Sequence, residues 1–204
     1  MITKADASNA QKLSLNSSWS KNKISSQGYV LKSTFSTRAD IYRNKKTDNS
    51  IVIGKLGTHE SFRAIPKFET MISYPIISYY NNNSFLIEPI IQGIIAPRGG
   101  NPDTIHNLDS IDLELSDHNL FSSNRFPGLD RIEEGSKINL GVKSNFDLNE
   151  IGEVNSLIGR SWNSIHPQNE YISGTGLNKK LSNIVGNIIY DYQSTLFLGY
   201  HFRR

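Results

Sequence analysis

The segment Lys137-Ile138-Asn139-Leu140-Gly141-Val142-Lys143-Ser144-Asn145-Phe146 decides the fold class. Ile138, Leu140, Val142 and Phe146 lie at alternate positions, and the charged or polar residues Lys137, Asn139, Lys143 and Asn145 lie between them. Successive side chains of an extended chain point to opposite faces, so this period places the apolar residues together on one face of a strand. The segment therefore predicts a β-strand with one apolar and one polar face.

Seven other segments carry the same alternation, although it is weak in 153–162. They are Gln11–Ser20, Tyr29–Tyr42, Phe62–Ser78, Ser84–Ala96, Glu153–Trp162, Leu181–Tyr192 and Leu196–Phe202. A strand of a soluble protein is usually about five or six residues long, whereas a tilted strand that crosses a bilayer needs about 9–11. We therefore predict an all-β, antiparallel meander of about eight long strands, which forms part of a large transmembrane β-barrel.

Alternation alone leaves a second interpretation open, because it does not say whether the apolar face meets lipid or protein. A soluble sandwich or barrel would use the same face as its core. Aromatic residues near the predicted strand ends are typical of a membrane-interface girdle, but aromatic residues are common in all strands. These residues are Tyr74, Tyr79, Tyr80, Tyr190, Tyr192 and Tyr200.

Composition excludes several classes of protein. The 204 residues are 37% hydrophobic, the net charge is +3 and the mean hydropathy is −0.41. No segment has the roughly 18 apolar residues of a membrane helix, and no basic cluster is interleaved with aromatics, so nucleic acid is not an expected partner. There is no cysteine, which excludes disulfides and thiolate sites.

The predicted connections fall into two length classes. Asn81–Asn83 and Asp147–Gly152 are short turns, whereas Asn44–Glu60, Pro97–Gly135 and His166–Lys179 are long. Short turns at one end and long loops at the other are typical of up-and-down outer-membrane barrels.

The long connection is rich in groups that could bind Ca²⁺, but their spacing does not match an EF-hand. We therefore prefer a solvated or lumen-folded acidic loop, and we expect no metal, cofactor or catalytic residue. No G-x-S-x-G motif is present, and no helix pattern follows Arg98–Pro102 to form a phosphate site. The candidate ligands considered were Asp103, His106, Asp109, Asp112, Glu114, Asp117, His118, Asp130, Glu133 and Glu134.

Three short motifs lie in and before this connection. The strand 84–96 contains Ile87-Glu88-Pro89, and Asn107-Leu108-Asp109-Ser110 lies inside the connection. The third motif is Leu120-Phe121, Asn124-Arg125-Phe126, Gly128 and Asp130-Arg131. Such a mixture of guanidinium, carboxylate and carboxamide groups satisfies itself through charge-assisted hydrogen bonds in a wet, semi-enclosed place.

Together these motifs resemble the C-terminal barrel domain of the LptD family of lipopolysaccharide-assembly proteins. Arg63-Ala64-Ile65-Pro66 and Ser156–Ser161 are similar to segments of its alphaproteobacterial members. The resemblance extends from about residue 25 to 195. The chain departs from the family pattern at Leu108, Pro127 and Arg160.

The resemblance implies a non-enzymatic part of the outer-membrane translocon that inserts lipopolysaccharide into the outer leaflet. Implied partners are lipopolysaccharide, membrane lipid, an LptE-like plug lipoprotein and the periplasmic Lpt bridge. Residues 124–131 would fold against the lumen wall. Candidate lumen-facing groups are Lys32, Arg38, Arg63, Lys67 and Glu88.

The chain also differs from the family in extent. We interpret residues 1–204 as a partial barrel domain without the periplasmic jellyroll, signal peptide, cysteines or closing strand of the family. This predicts a fragment of a longer, split or decaying gene product, which need not function alone. The alternative is a small self-contained outer-membrane barrel or a soluble β-sandwich binding module, although such a module has no evident need for Pro97–Gly135.

Overall fold

A computed structural model describes residues 9–45, 58–102, 107, 109–110, 114–164, 171 and 173–204. Across these residues, nine strands form one antiparallel sheet, and a short 3-10 helix at Asn149–Ile151 lies in a turn. The strands are β1 (Asn9–Ile24), β2 (Val30–Lys45), β3 (Thr58–Ser73), β4 (Ile76–Tyr80), β5 (Asn83–Ile95), β6 (Lys137–Asp147), β7 (Glu153–Asn163), β8 (Val185–Tyr192) and β9 (Leu196–Arg203).

The sheet is a meander with the order β1-β2-β3-β5-β6-β7-β8-β9, and β4 pairs with β5. Every pairing is antiparallel. The prediction of an all-β antiparallel fold is therefore confirmed. Within the described residues β1 and β9 are the two edges, so the sheet is open, which is consistent with a section of a barrel wall.

The predicted strand Phe62–Ser78 is interrupted in the structure. β3 ends at Ser73 and β4 begins at Ile76, with Pro75 between them. Proline lacks the N–H that a ladder needs and restricts the residue before it. Both strands nevertheless keep one register against β5, because Ser73 pairs with Ile90 and Ile76 with Ile87. The nine strands thus occupy eight positions across the sheet, because β3 and β4 follow one another along the same side of β5.

The short turns lie at one end of the sheet and the long connections at the other. Residues 25–29, 81–82, 148–152 and 193–195 join strands at the short-turn end. The described residues of the connection 96–136 lie at the opposite end, with the described residues of 164–184. Leu181, which we predicted to begin β8, instead makes an isolated bridge with Trp162.

The apolar face of the sheet is the exposed one. Phe62, for example, is 70% exposed, whereas the polar residue Asp40 on the other face is 0% exposed. Large exposed side chains on the apolar face include Leu13, Leu15, Trp19, Phe35, Ile41, Phe68, Ile87, Ile91, Ile95, Leu140, Val142, Ile158, Trp162 and Ile188. Buried residues on the polar face include Arg63, Lys67, Gln92, Lys137, Asn139 and Ser161.

The connection 96–136 covers part of this polar inner face. Its own Leu115, Leu120 and Phe126 form a small apolar cluster with Tyr171, Leu177 and Val185, and Phe121 packs against this cluster. Two paired glycines of the sheet make room for it. A Cβ at Gly159 would lie 2.4 Å from Cδ2 of Leu120, and one at Gly141 would lie 2.9 Å from Cζ of Phe121. The apolar core is therefore small and lies between the connection and the inner face.

Candidate functional site

The centre of the site is an ion-paired triad at the base of the connection. Nη1 of Arg125 lies 2.5 Å from Oε1 of Glu133, and the Lys137 ammonium donates to Oε2 of the same carboxylate. All three side chains are at most 3% exposed. Two basic side chains share one carboxylate, so their remaining N–H groups require further acceptors.

The sheet supplies these acceptors through a chain of polar side chains. Nη2 of Arg125 donates to Oδ1 of Asn139 at 2.9 Å and to Oγ of Ser161 at 3.1 Å. Asn139 in turn donates to Gln92 at 2.6 Å, and Gln92 donates to Glu69 at 2.7 Å. One hydrogen-bonded row thus crosses β7, β6, β5 and β3, and it fixes the connection in one position on the sheet.

The Glu133 carboxyl, which belongs to the connection, is held ionised. Burial raises the pKa of this carboxyl, but the charges of Lys137 and Arg125 outweigh it and lower the pKa to about 2. A buried carboxylate with two cationic partners retains its charge at every physiological pH.

A second cluster, centred on Arg63, lies toward β1 and β2. The guanidinium donates to Oδ2 of Asp40 at 2.5 Å and to the Tyr42 hydroxyl at 2.7 Å. It also donates to the carbonyl oxygens of Gly100 and Asp130, at 2.7 and 2.8 Å. This arginine therefore ties the sheet to two points of the connection at once.

Neighbouring side chains extend this cluster. Lys12 donates to Oδ1 of Asp130 at 2.7 Å. Arg38 pairs with Asp40 at 3.0 Å and donates to the carbonyl of Leu129. Lys67 donates to the carbonyl of Ser123 at 2.7 Å. Together with Arg63, four cationic side chains of β1, β2 and β3 thus donate hydrogen bonds to the connection.

Hydrogen bonds within the connection also hold two of its segments together. Oδ2 and Oδ1 of Asp109 accept hydrogen bonds from the backbone N–H groups of Leu129 and Asp130, both at 2.8 Å. Burial raises the pKa of Asp109, but these bonds and one from Ser110 lower it to about 2. Gly128, at φ +75°, is closely packed there, because a Cβ would lie 2.4 Å from the Asp109 carbonyl oxygen.

The structure brings most of the motif residues together. Asn107 and Ser110 bond to each other, and Ser110 accepts from the N–H groups of Asp130 and Arg131. Asn124 accepts from the N–H of Glu133. Leu120, Phe121 and Phe126 form the apolar cluster, and the Arg131 guanidinium lies 5.7 Å from the Phe126 ring centre.

Other candidates lie apart from these clusters. Pro89 is on the exposed outer face of β5, Glu88 is half-buried on its inner face, and Lys32 is exposed. Asp103, His106, Leu108 and Asp112 lie outside the described residues.

The sequence analysis missed the partners that the sheet provides. Lys137, Asn139, Gln92 and Asp40 were predicted only as the polar side of alternating strands, and Ser161 only as the last residue of the family-like segment 156–161. Their signal was the strand period itself, because polar residues at alternate positions lie on the face toward which the long connection folds.

The outer face contains a shallow apolar groove of about 580 Å³, which crosses β3, β5, β6 and β7. Ile72, Ile91, Leu140, Val142 and Ile158 are among the residues that line it. Among the described residues, no helix is both long and apolar enough to cross a membrane.

The sequence that forms these two faces is similar to one known family of proteins. The family model described as LPS transport system D, LptD, matches residues 2–203. The chain belongs to the LptD family. The match confirms the resemblance inferred from the motifs and covers nearly the whole chain. No curated protein matches the sequence.

LptD proteins are outer-membrane components of lipopolysaccharide transport and assembly, and they are not known as enzymes. A role in transport and assembly fits a site in which charged side chains hold the connection in place. The site residues bind backbone carbonyls, amides and one another, and they are arranged to fix a loop on a sheet.

Proposed function

We propose that this chain forms a section of the wall of the outer-membrane translocon that inserts lipopolysaccharide. The apolar face would contact lipid, the polar face would line the lumen, and the connection 96–136 would fold inward over it. One observation carries the proposal: large apolar side chains are exposed on one face while charged side chains are buried on the other. A soluble protein of this size would bury its apolar face instead.

The strand lengths support a membrane position. The 11 residues of β6 extend over about 36 Å at about 3.3 Å per residue. A tilt of about 45° reduces their height to about 26 Å, close to the roughly 25 Å apolar band of an outer-membrane barrel. On this proposal residues 1–204 form part of one barrel domain, and its long connections face the cell exterior.

The charged site would then shape the lumen. The row from Arg125 to Glu69 and the cluster around Arg63 hold the connection against the wall, where it leaves a polar surface for a sugar chain to pass. We propose lipopolysaccharide, an LptE-like plug lipoprotein and the periplasmic Lpt bridge as partners of the assembled protein. The mechanism would be transit without covalent chemistry.

The absence of cysteine permits a direct test of the two faces. Val142→Cys and Lys143→Cys differ by one position on β6 and would carry a nitroxide label in lipid vesicles. We expect oxygen dissolved in the lipid to raise the spin relaxation rate of the label at 142. A water-soluble nickel chelate should raise that of the label at 143. Equal access of the nickel chelate to both labels would contradict a lipid-facing wall.

The role of the connection is tested in an intact family member. Replacement of the residues that correspond to Arg125 and Asp130 by alanine should abolish lipopolysaccharide assembly, because both anchor the connection to the wall. The readout is surface lipopolysaccharide, with barrel abundance measured in the same cells. Wild-type assembly in both variants would contradict the proposed role.

A further inference from the structure

The connection and the last strand bring two histidines and an aspartate together outside the site described above. Nδ1 of His201, on β9, lies 3.0 Å from Oδ1 of Asp117, and Nδ1 of His118 lies 3.4 Å from Oδ2 of the same carboxylate. One potential ligand atom from each residue lies within 4.8 Å of the other two. We propose that Asp117, His118 and His201 bind a divalent transition-metal ion such as Zn²⁺.

The ligand chemistry favours this class of ion. Two imidazoles and one carboxylate suit zinc, copper or nickel, whereas calcium and magnesium prefer oxygen ligands alone. Ligand atoms around a tetrahedral zinc ion are about 3.4 Å apart at bond lengths of about 2.1 Å. The His118 contact with Asp117 has that spacing at 3.4 Å, the His201 contact is shorter at 3.0 Å, and the three ligand atoms all lie within 4.8 Å of one another.

The site is built around a fixed carboxylate. The side chain of Asp117 is only 4% exposed, and Nδ2 of Asn187 donates to its Oδ2 at 2.6 Å. Outer partners of this kind hold a ligand in its binding orientation before the ion arrives. The two imidazoles are exposed, so water can occupy the fourth position, and an ion can enter from solvent.

The sequence analysis weighed Asp117 and His118 only as Ca²⁺ ligands of an acidic loop and expected no metal there, because His201 lies 84 residues after Asp117. The fold unites them at the edge of the sheet. A bound ion would cross-link the connection to β9, and the inference does not depend on the proposed function.

The test uses the full chain in neutral detergent free of lipopolysaccharide, treated with EDTA and then desalted. Zn²⁺ is titrated against a chromophoric chelator. We expect one ion per chain, and His201→Ala and His118→Ala should each weaken binding by at least roughly tenfold. His59→Ala, on the distant strand β3, is the matched control and should bind as the wild type does.

Copper supplies a readout that a merely structural role would not change. The electron paramagnetic resonance spectrum of bound Cu²⁺ should show two coupled nitrogens in the wild type and one in either histidine variant. His118 is 75% exposed, so its replacement leaves the fold intact. No zinc binding by the wild type, unchanged affinity in both variants or an unchanged nitrogen count would overturn the proposal.

Discussion

The two faces of the sheet have opposite relations to their surroundings, and Val142 and Lys143 illustrate this at adjacent positions. Val142 points outward with the exposed apolar residues, and Lys143 points to the inner face with Asn139. Because neighbouring residues of one strand serve both faces, the 11 residues of β6 must suit two different environments. Exposure of an apolar face is costly in water and favourable in lipid, so the difference supports the proposal that lipid lies on one side and water on the other.

The inner face is itself divided. Beneath the connection, charged side chains are buried and paired, as in the triad of Arg125, Glu133 and Lys137. Toward the short turns, Lys32 and Lys143 are exposed. Among the described residues, charge on this face is therefore buried where the connection covers the sheet.

Removal of Arg125 should have the largest effect. Arg125→Ala removes one donor from the Asn139 side chain and one from the Ser161 hydroxyl, and it deprives the buried Glu133 of one cation. We expect a loss of about 3–5 kcal/mol in the free energy of unfolding, measured by denaturant titration in detergent. The control is Arg43→Ala, which removes an exposed ion pair with Glu60 and should cost less than about 1 kcal/mol.

Acid should release the connection. The pKa of Glu133 is about 2 in the folded chain and 4.5 as a reference, so its contribution is complete above about pH 5 and is lost as the pH falls from 4.5 toward 2. This contribution is about 3 kcal/mol. Cleavage of the connection by an acid-active protease should rise across that range. The same pH slope in Glu133→Gln would show that another group is responsible.

A charge on the outer face should distinguish lipid from water. Val142→Lys should lower the free energy of unfolding in bilayers by about 2–4 kcal/mol, because an ammonium would face hydrocarbon. The adjacent Lys143→Val, on the inner face, should change it by less than about 1 kcal/mol. Equal effects from the two substitutions would remove the distinction between the faces.

A smaller substitution tests the close packing of the connection on the sheet. Gly159→Ala places a Cβ 2.4 Å from both Leu120 Cδ2 and the Leu140 carbonyl oxygen. We expect a cost of about 1–3 kcal/mol from overpacking, measured as for Arg125→Ala. Gly93→Ala is the control, because a Cβ there has no atom within 4 Å. A comparable loss at Gly93 would point to strand propensity rather than to packing.

Sequence alone predicted the strands well, because their period of two is a local property. The boundaries of β6 differ from the prediction by one residue, and those of β8 by four at its start. The break at Pro75 was missed although proline marks such breaks. Alternation could not say which face is exposed, since that depends on where the 96–136 connection lies.

The site was predicted in part. The motif residues Asn124, Arg125, Gly128 and Asp130 were found through their resemblance to a family pattern. Their partners across the sheet, such as Asn139 and Ser161, are 14 and 36 residues from Arg125. Contacts of this kind depend on strand register, which the sequence does not specify by itself.

The side chains of the sheet reach the connection largely through its backbone. Arg63, Lys67 and Gln92 donate to the carbonyl oxygens of Gly100, Ser123 and Phe121. A carbonyl is the same in every residue, so mutation can change Ser123 over evolutionary time and leave that bond intact. The side chains of Arg63, Lys67 and Gln92 cannot change in this way, because the donor group belongs to the side chain itself. Homologous connections should therefore drift in sequence at Ser123, whereas Phe121 is also held by its packing against the apolar cluster. The long polar donors of the strands beneath should persist.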